Sequence, residues 1–257
     1  KGKQEEEDDN TTNSDIPNSG GIFVRLPLDV ELSDFTVEDQ YWDKKIVLKV
    51  AGDYGRYYQN NPIVSPYSVV DNISVSSTED STTITLSTSR IKGYSLHKDK
   101  DGFINRIGNP YEIYDKIVVL DAGHGGIDPG ASAGGYNEKD INFTILNNYT
   151  KAYFDNSDIK VYLSRTTDTK IDLYERASFA SSVEADIFVS LHMNANDSTS
   201  IYGTSVYYST LNTSVTSGGL NADTMAKTFA ENISAALGTK NRGVYTKDFV
   251  VVKETRM

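Results

Sequence analysis

The sequence predicts an α/β domain, a mostly parallel sheet flanked by helices, over residues 114–257, preceded by a small all-β sandwich over residues 22–113. Three observations carry this reading. Beyond residue 114, apolar strand runs alternate with helical periods, the texture of a parallel sheet covered on both faces. Before it, short strand signals are separated by turn-rich breaks, and no helical period of useful length appears. Between the two, Asn109-Pro110 reads as a boundary.

Taken in order, residues 1–21 open with five consecutive acids, Glu5 to Asp9, followed by Asn, Thr, Ser and Gly. Such a stretch cannot bury enough apolar surface to fold, and it reads as a flexible acidic linker, either one left when a targeting segment is removed or a plain disordered tail with no role. Strands are expected at 23–32, 45–50, 68–75 and 82–87. Tyrosines are dense here (Tyr41, Tyr54, Tyr57, Tyr58, Tyr67, Tyr94), either to stack on sugars or because tyrosine favours strands. In the second domain the expected order is strand 117–120, loop 121–137, a helix over 138–154 with Ile141, Ile145, Tyr149, Ala152 and Tyr153 on its apolar face, and strand 160–163. A helix over 173–183, strand 186–191, strand 204–208, a helix over 222–237 with Ala222, Ala226, Phe229, Ile233 and Leu237 on one face, and strand 249–252 complete it.

Composition excludes several classes. The 257 residues carry a net charge of −11, which argues against nucleic acid or an anionic membrane as bulk electrostatic partners. With no cysteine there is neither a disulfide nor a thiolate metal site, which fits a cytosolic chain or a secreted one from a cell that avoids disulfides. Only three histidines exist, His97, His124 and His192. His97 has no acid at metal-ligand spacing and reads as a surface residue near a turn.

The other two sit alike. The run at 117–120 stops at Asp121 and passes into a glycine-rich loop with His124; strand 186–191 ends at His192. Ligands in open α/β sheets lie just outside the carboxyl ends of strands. If the strands are neighbours, both imidazoles reach one point. Glu138, after a loop long enough to fold back over that edge, is either a third ligand or a first-turn acid favoured by the helix dipole. His, Glu and His with an open fourth position is the pattern of catalytic zinc, whose bound water ionises near neutral pH. Asn194 either orients substrate or caps its loop. The GHGG glycines do not make a dinucleotide loop, since the third glycine is missing and Pro129 interrupts the helix start.

The strings VVLDAGHGGIDPGA (118–131), NEKDIN (137–142), LSRTTD (163–168), LYERASFA (173–180) and ADIFVSLHMNA (185–195) resemble, in order and spacing, the zinc-dependent N-acetylmuramoyl-L-alanine amidases. The resemblance implies hydrolysis of the amide between muramic acid and the first alanine of the peptidoglycan stem, outside the cell or in its wall, with Zn²⁺ held by His124, Glu138 and His192. It also implies a general-base glutamate just past VVVKETRM, beyond Met257, and does not promote Glu254 to that role. The β-rich segment before residue 114 resembles, more loosely, the AMIN-type domains that help hold such enzymes on the wall. A catalytically impaired amidase fold acting as a wall-binding module is the alternative.

Overall fold

A computed structural model describes residues 21–65, 68–198, 200–216 and 218–255. The acidic linker, apart from Gly21, and Tyr67 lie outside the described residues. The chain divides into two compact units, one ending at Gly108 and the other beginning at Asn109.

The first unit is all antiparallel apart from one helix. Strands β1 (Gly21–Arg25), β2 (Thr36–Gln40) and β3 (Lys45–Ala51) are followed by α1 (Gly55–Asn60), β4 (Asn72–Ser77), β5 (Ser81–Ser87), β6 (Gly93–Asp99) and β7 (Gly102–Gly108). They form a three-stranded sheet, β1-β7-β6, and a four-stranded one, β2-β3-β5-β4. Alternation decides what is inside: β5 buries Thr82, Ile84 and Leu86 and turns its other residues outward. Ile22 and Val24 of β1, Ile46, Leu48 and Val50 of β3, and Phe103 and Ile107 of β7 belong to one buried cluster fed by both sheets. Tyr54, Tyr57, Tyr58 and Tyr94 belong to or pack on that cluster, so these tyrosines serve the core.

Several expectations need correction here. The strand expected at 23–32 is only β1, because the chain turns away at Pro27 and makes a single 3₁₀ turn at Leu32–Asp34. Strands β2, β6 and β7 are absent from the expected set, their polar and glycine residues hiding the alternation. His97 lies exposed on β6, its Nε2 2.9 Å from Ser95 Oγ.

The second unit begins with a one-turn helix, α2 (Pro110–Ile113), and β8 (Lys116–Ala122). A two-residue hairpin, β9 (Ser132–Ala133) with β10 (Tyr136–Asn137), leads into α3 (Glu138–Phe143). That helix continues as a π-helical stretch, Thr144–Thr150, and as α4 (Lys151–Phe154). Then come β11 (Ile159–Leu163), α5 (Leu173–Ser182), β12 (Ile187–Leu191), β13 (Thr204–Tyr208), α6 (Ala222–Leu237), β14 (Asn241–Thr246) and α7 (Val250–Lys253). Strands β11, β8 and β12 form a parallel sheet with β8 central; β13 and β14 pair as a second parallel sheet. With the antiparallel hairpin, the sheets of the chain are mixed rather than purely parallel.

The central sheet is covered on both faces. Leu120 and Ala122 pack with Leu146 from the π-helical stretch, and Tyr162, level with Val119, meets Phe179 of α5 edge-on at 6.2 Å. A buried parallel strand is apolar throughout, as 117–120 is.

Two helix faces and one strand differ from expectation. Ile145, Tyr149 and Tyr153 are 38%, 70% and 84% exposed; the helix buries Glu138, Asn142 and Leu146 instead. The buried face opens with two polar side chains, Glu138 and Asn142, one turn apart on α3, so an apolar stripe read from the sequence falls on the neighbouring face; the π-helical stretch, where Thr150 Oγ1 reaches back to the Ile145 carbonyl at 3.0 Å, begins only beyond them. In α6 the buried positions are Ala226, Ala230 and Ser234, with Ile233 and Leu237 outside, because small residues let the helix lie close on β13 and β14. The valines at 250–252 form the single turn α7, not a strand; Val251 is buried and the turn packs on α5. Tertiary packing outweighs β propensity there.

The buried face of the first helix is testable by urea unfolding. Leu146→Ala is expected to cost roughly 2–5 kcal/mol, whereas Tyr149→Ala should stay within about 0.5 kcal/mol.

Candidate metal centre

The site forms where β8 and β12 end side by side. Leu191 pairs with Ala122, so the residues that follow, Gly123–His124 and His192, leave adjacent strand ends. The Gly123 N–H donates to the Leu191 carbonyl at 3.2 Å, keeping the two exits together. His124 adopts φ 62°, a left-handed conformation uncommon outside glycine, which reverses the chain over the sheet edge. Neighbouring glycines make room. A Cβ on Gly123 would fall 2.3 Å from His192 Cε1, and one on Gly130 (φ +66°) would fall 2.6 Å from His124 Cδ2.

Glu138 arrives from the other direction. Its N–H donates to the Ala131 carbonyl at 2.8 Å and that of Lys139 to the Pro129 carbonyl at 3.1 Å, so the loop folds the start of α3 back onto the edge. The carboxylate is buried. Oε2 accepts from the Ala131 N–H at 2.9 Å and Oε1 from the Met193 N–H at 2.8 Å. Burial pushes this carboxyl up, but the two amide donors and the two imidazoles outweigh it and hold it below its ordinary value.

The three side chains meet. His192 Nδ1 lies 3.1 Å from His124 Nε2 and 3.0 Å from Glu138 Oε1, and His124 Nε2 lies 3.3 Å from the same oxygen. Among the described residues this is the one group of three or more His, Cys, Asp or Glu side chains placed to hold a metal ion. Ligands at zinc–nitrogen and zinc–oxygen distances of about 2.0–2.1 Å stand roughly 3.3–3.4 Å apart in a tetrahedron. The observed edges fit that size, and two imidazoles with one carboxylate suit zinc chemically. Asn194, exposed and at φ 58°, lies on the loop after His192, outside this triangle.

Residues not singled out from sequence support the triangle. Asp128 Oδ1 lies 3.1 Å from His124 Nδ1 and accepts the Gly130 N–H at 3.1 Å; the imidazole contact and then this amide hold its carboxyl below the usual range. Arg165, buried, donates from Nε to the Ala122 carbonyl at 2.9 Å and from Nη2 to the Lys139 carbonyl at 2.7 Å, joining the segment that carries His124 to the helix that carries Glu138. Arg176 donates to the carbonyls of Ala122 and His124 at 2.8 and 2.7 Å. Lys139 Nζ spans the Gly126 carbonyl at 2.8 Å and Asp168 Oδ2 at 2.6 Å. The strings LSRTTD and LYERASFA contain both arginines, but nothing in a single sequence marks them as buried.

Because the folded protein depresses the Glu138 value, its ionised form contributes stability above the ordinary glutamate value, and that contribution is lost as pH falls through the depressed one. In chelator-treated protein, thermal melts of wild type and Glu138→Gln should therefore differ most at neutral pH and converge in acid; a gap that widens in acid contradicts this sign.

Comparison with known proteins follows the same segment. The pattern of the N-acetylmuramoyl-L-alanine amidase family Amidase_3 matches residues 118–257. The N-acetylmuramoyl-L-alanine amidase LytC of Bacillus subtilis is 37% identical over 153 residues, which cover 60% of this chain and 29% of LytC. The endolysin of Bacillus phage SPP1 is 35% identical over 142 residues, 55% of this chain and 51% of the endolysin. The chain thus spans under a third of one relative and about half of the other. Among solved structures, the catalytic domain of the amidase CwlV from Bacillus (Paenibacillus) polymyxa is 30% identical over 55% of this chain and 75% of that one, with a TM-score of 0.47. Through residues 118–257, more than half its length, the chain belongs to the N-acetylmuramoyl-L-alanine amidase family.

Proposed function

We propose that this chain hydrolyses the amide bond between N-acetylmuramic acid and L-alanine in peptidoglycan, as a zinc-dependent, secreted enzyme acting at the cell wall. The observation that carries the proposal is the donor triangle of His124, Glu138 and His192, with edges of 3.0–3.3 Å, at the adjacent ends of two parallel strands. Zinc bound there supplies Lewis-acid polarisation of the scissile carbonyl and a water ionised near neutral pH. The chain's own residues supply the rest. Glu138, its carboxylate oriented by the Ala131 and Met193 N–H groups, would hold the ion together with His124 and His192. Asn194, on the rim, is assigned to orient the substrate. Glu254, which pairs with Lys253 at 3.1 Å, is left out of the chemistry, and no residue of this sequence is assigned the role of general base.

The first unit is read as an AMIN-like, wall-targeting β-sandwich over residues 22–113, supported by its two antiparallel sheets sharing one core. Negative net charge supports recognition of wall glycan by specific contacts rather than bulk attraction to polyanions. No helix among the described residues is long and apolar enough to cross a membrane.

The test is to incubate zinc-loaded protein with purified peptidoglycan and identify the new amino termini. Free L-alanine termini that appear with zinc and vanish after chelation or in the His124→Ala/His192→Ala double variant are expected. Binding without any new termini selects the wall-binding module instead, and cleavage within the stem peptide points to a peptidase. Unchanged zinc content in the double variant overturns the ligand assignment.

A further inference from the structure

The three proposed ligands are not anchored alike. Glu138 is fixed by two backbone amides, and His192 rests its ring against the α-carbon of Gly123. His124 alone has a carboxylate behind it. Its Nε2 faces Glu138 Oε1 and His192 Nδ1, while Nδ1, on the opposite edge of the ring, lies 3.1 Å from Asp128 Oδ1.

The direction of that contact follows from what each group can do. An ionised carboxylate only accepts, so the proton between the two belongs to Nδ1 and the lone pair of a neutral imidazole falls on Nε2. Asp128 is itself immobilised: the same Oδ1 accepts the Gly130 N–H at 3.1 Å, and paired N–H···O bonds between Gly125 and Asp128, at 3.0 and 3.1 Å, close a tight turn around it. The turn therefore delivers a ligand and its orienting acid from one stretch of five residues. Asp128 lies outside the donor triangle, with the imidazole between them.

Building on the metal site proposed above, we propose that Asp128 is a positioning residue for metal capture. It fixes the Nδ1–H tautomer and the ring orientation of His124, and it raises the basicity of the nitrogen that faces the ion. Its side chain is partly exposed, so the site tolerates substitution without opening the core.

Zinc affinity measured by competition with a chromogenic chelator, on the full chain, tests this without any turnover assay. Wild type must bind zinc; if it does not, the metal-site reading fails and not this inference. Given binding by wild type, Asp128→Ala should weaken it by roughly 10–100-fold, with only a small drop in melting temperature in chelator, because the lost contacts belong to a partly exposed side chain. Asp128→Asn, which keeps an acceptor oxygen but not the charge, should fall between. In zinc-loaded wild-type protein, ¹H–¹⁵N spectra of the imidazoles should show a slowly exchanging Nδ1–H of His124, absent from Asp128→Ala. Equal zinc affinity in wild type and Asp128→Ala, or a His124 that carries its proton on Nε2, overturns the proposal.

Discussion

The second unit depends on a single buried carboxylate, Asp121, at the carboxyl end of the central strand. Its Oδ1 accepts from Arg176 Nη1 and from Ser164 Oγ, and its Oδ2 from Ser190 Oγ at 2.6 Å. Those partners stand on α5, just past β11, and on β12. One side chain thus ties the three strands and the covering helix at the level where the chain leaves the sheet for the site. Removing one partner of a buried ion pair leaves a charge in a medium that solvates it poorly, typically at about 3–5 kcal/mol. Arg176 is then free to do a second task because its charge is already balanced: its remaining N–H groups hold the carbonyls of Ala122, His124 and Ile171.

That arrangement explains how the His124 backbone persists in a left-handed conformation. Non-glycine residues held there carry roughly 1–3 kcal/mol of strain and survive only where their surroundings over-determine them. Here the guanidinium of Arg176 fixes the His124 carbonyl, the Gly125–Asp128 turn fixes the residues after it, and glycines at 123 and 130 leave the space both imidazoles need. Asn194 shows the same left-handed turn just after β12. The two histidines are brought together before that turn, by the pairing of Ala122 with Leu191 and the Gly123 N–H donated to the Leu191 carbonyl.

The parts of this legible in the sequence were those with a strong period or a positional rule. The apolar runs of β8 and β12, the full extent of α6, and the placement of His124 and His192 at strand ends follow from patterns that packing reinforces. What escaped has physical reasons. Strands β7 and β14, GFINRIG and NRGVYT, interleave glycine and arginine with their apolar residues, so period 2 is blurred. The helix face after Glu138 is hidden because its buried positions open with Glu138 and Asn142, polar residues that a search for apolar period passes over. Arg165 and Arg176 are hidden for a different reason: an isolated arginine reads as surface, and only the folded chain supplies the acceptors that make burial tolerable, backbone carbonyls for Arg165 and the Asp121 carboxylate with backbone carbonyls for Arg176.

Arg165 carries the argument one step further. Its guanidinium takes only carbonyl partners among its hydrogen bonds: Ala122, Gly123, Thr167 and Lys139. A lysine, a point charge with three donors, cannot reach four acceptors set around a plane, so the fork geometry is what the position requires. Its face also lies 4.9 Å from the Phe143 ring, which fixes its tilt. Because one acceptor precedes His124 and another follows Glu138, the rigid span of that fork sets the separation of the two segments that carry them. The dimensions of the donor triangle are therefore inherited from a charged side chain beneath it and do not rest on the loop alone.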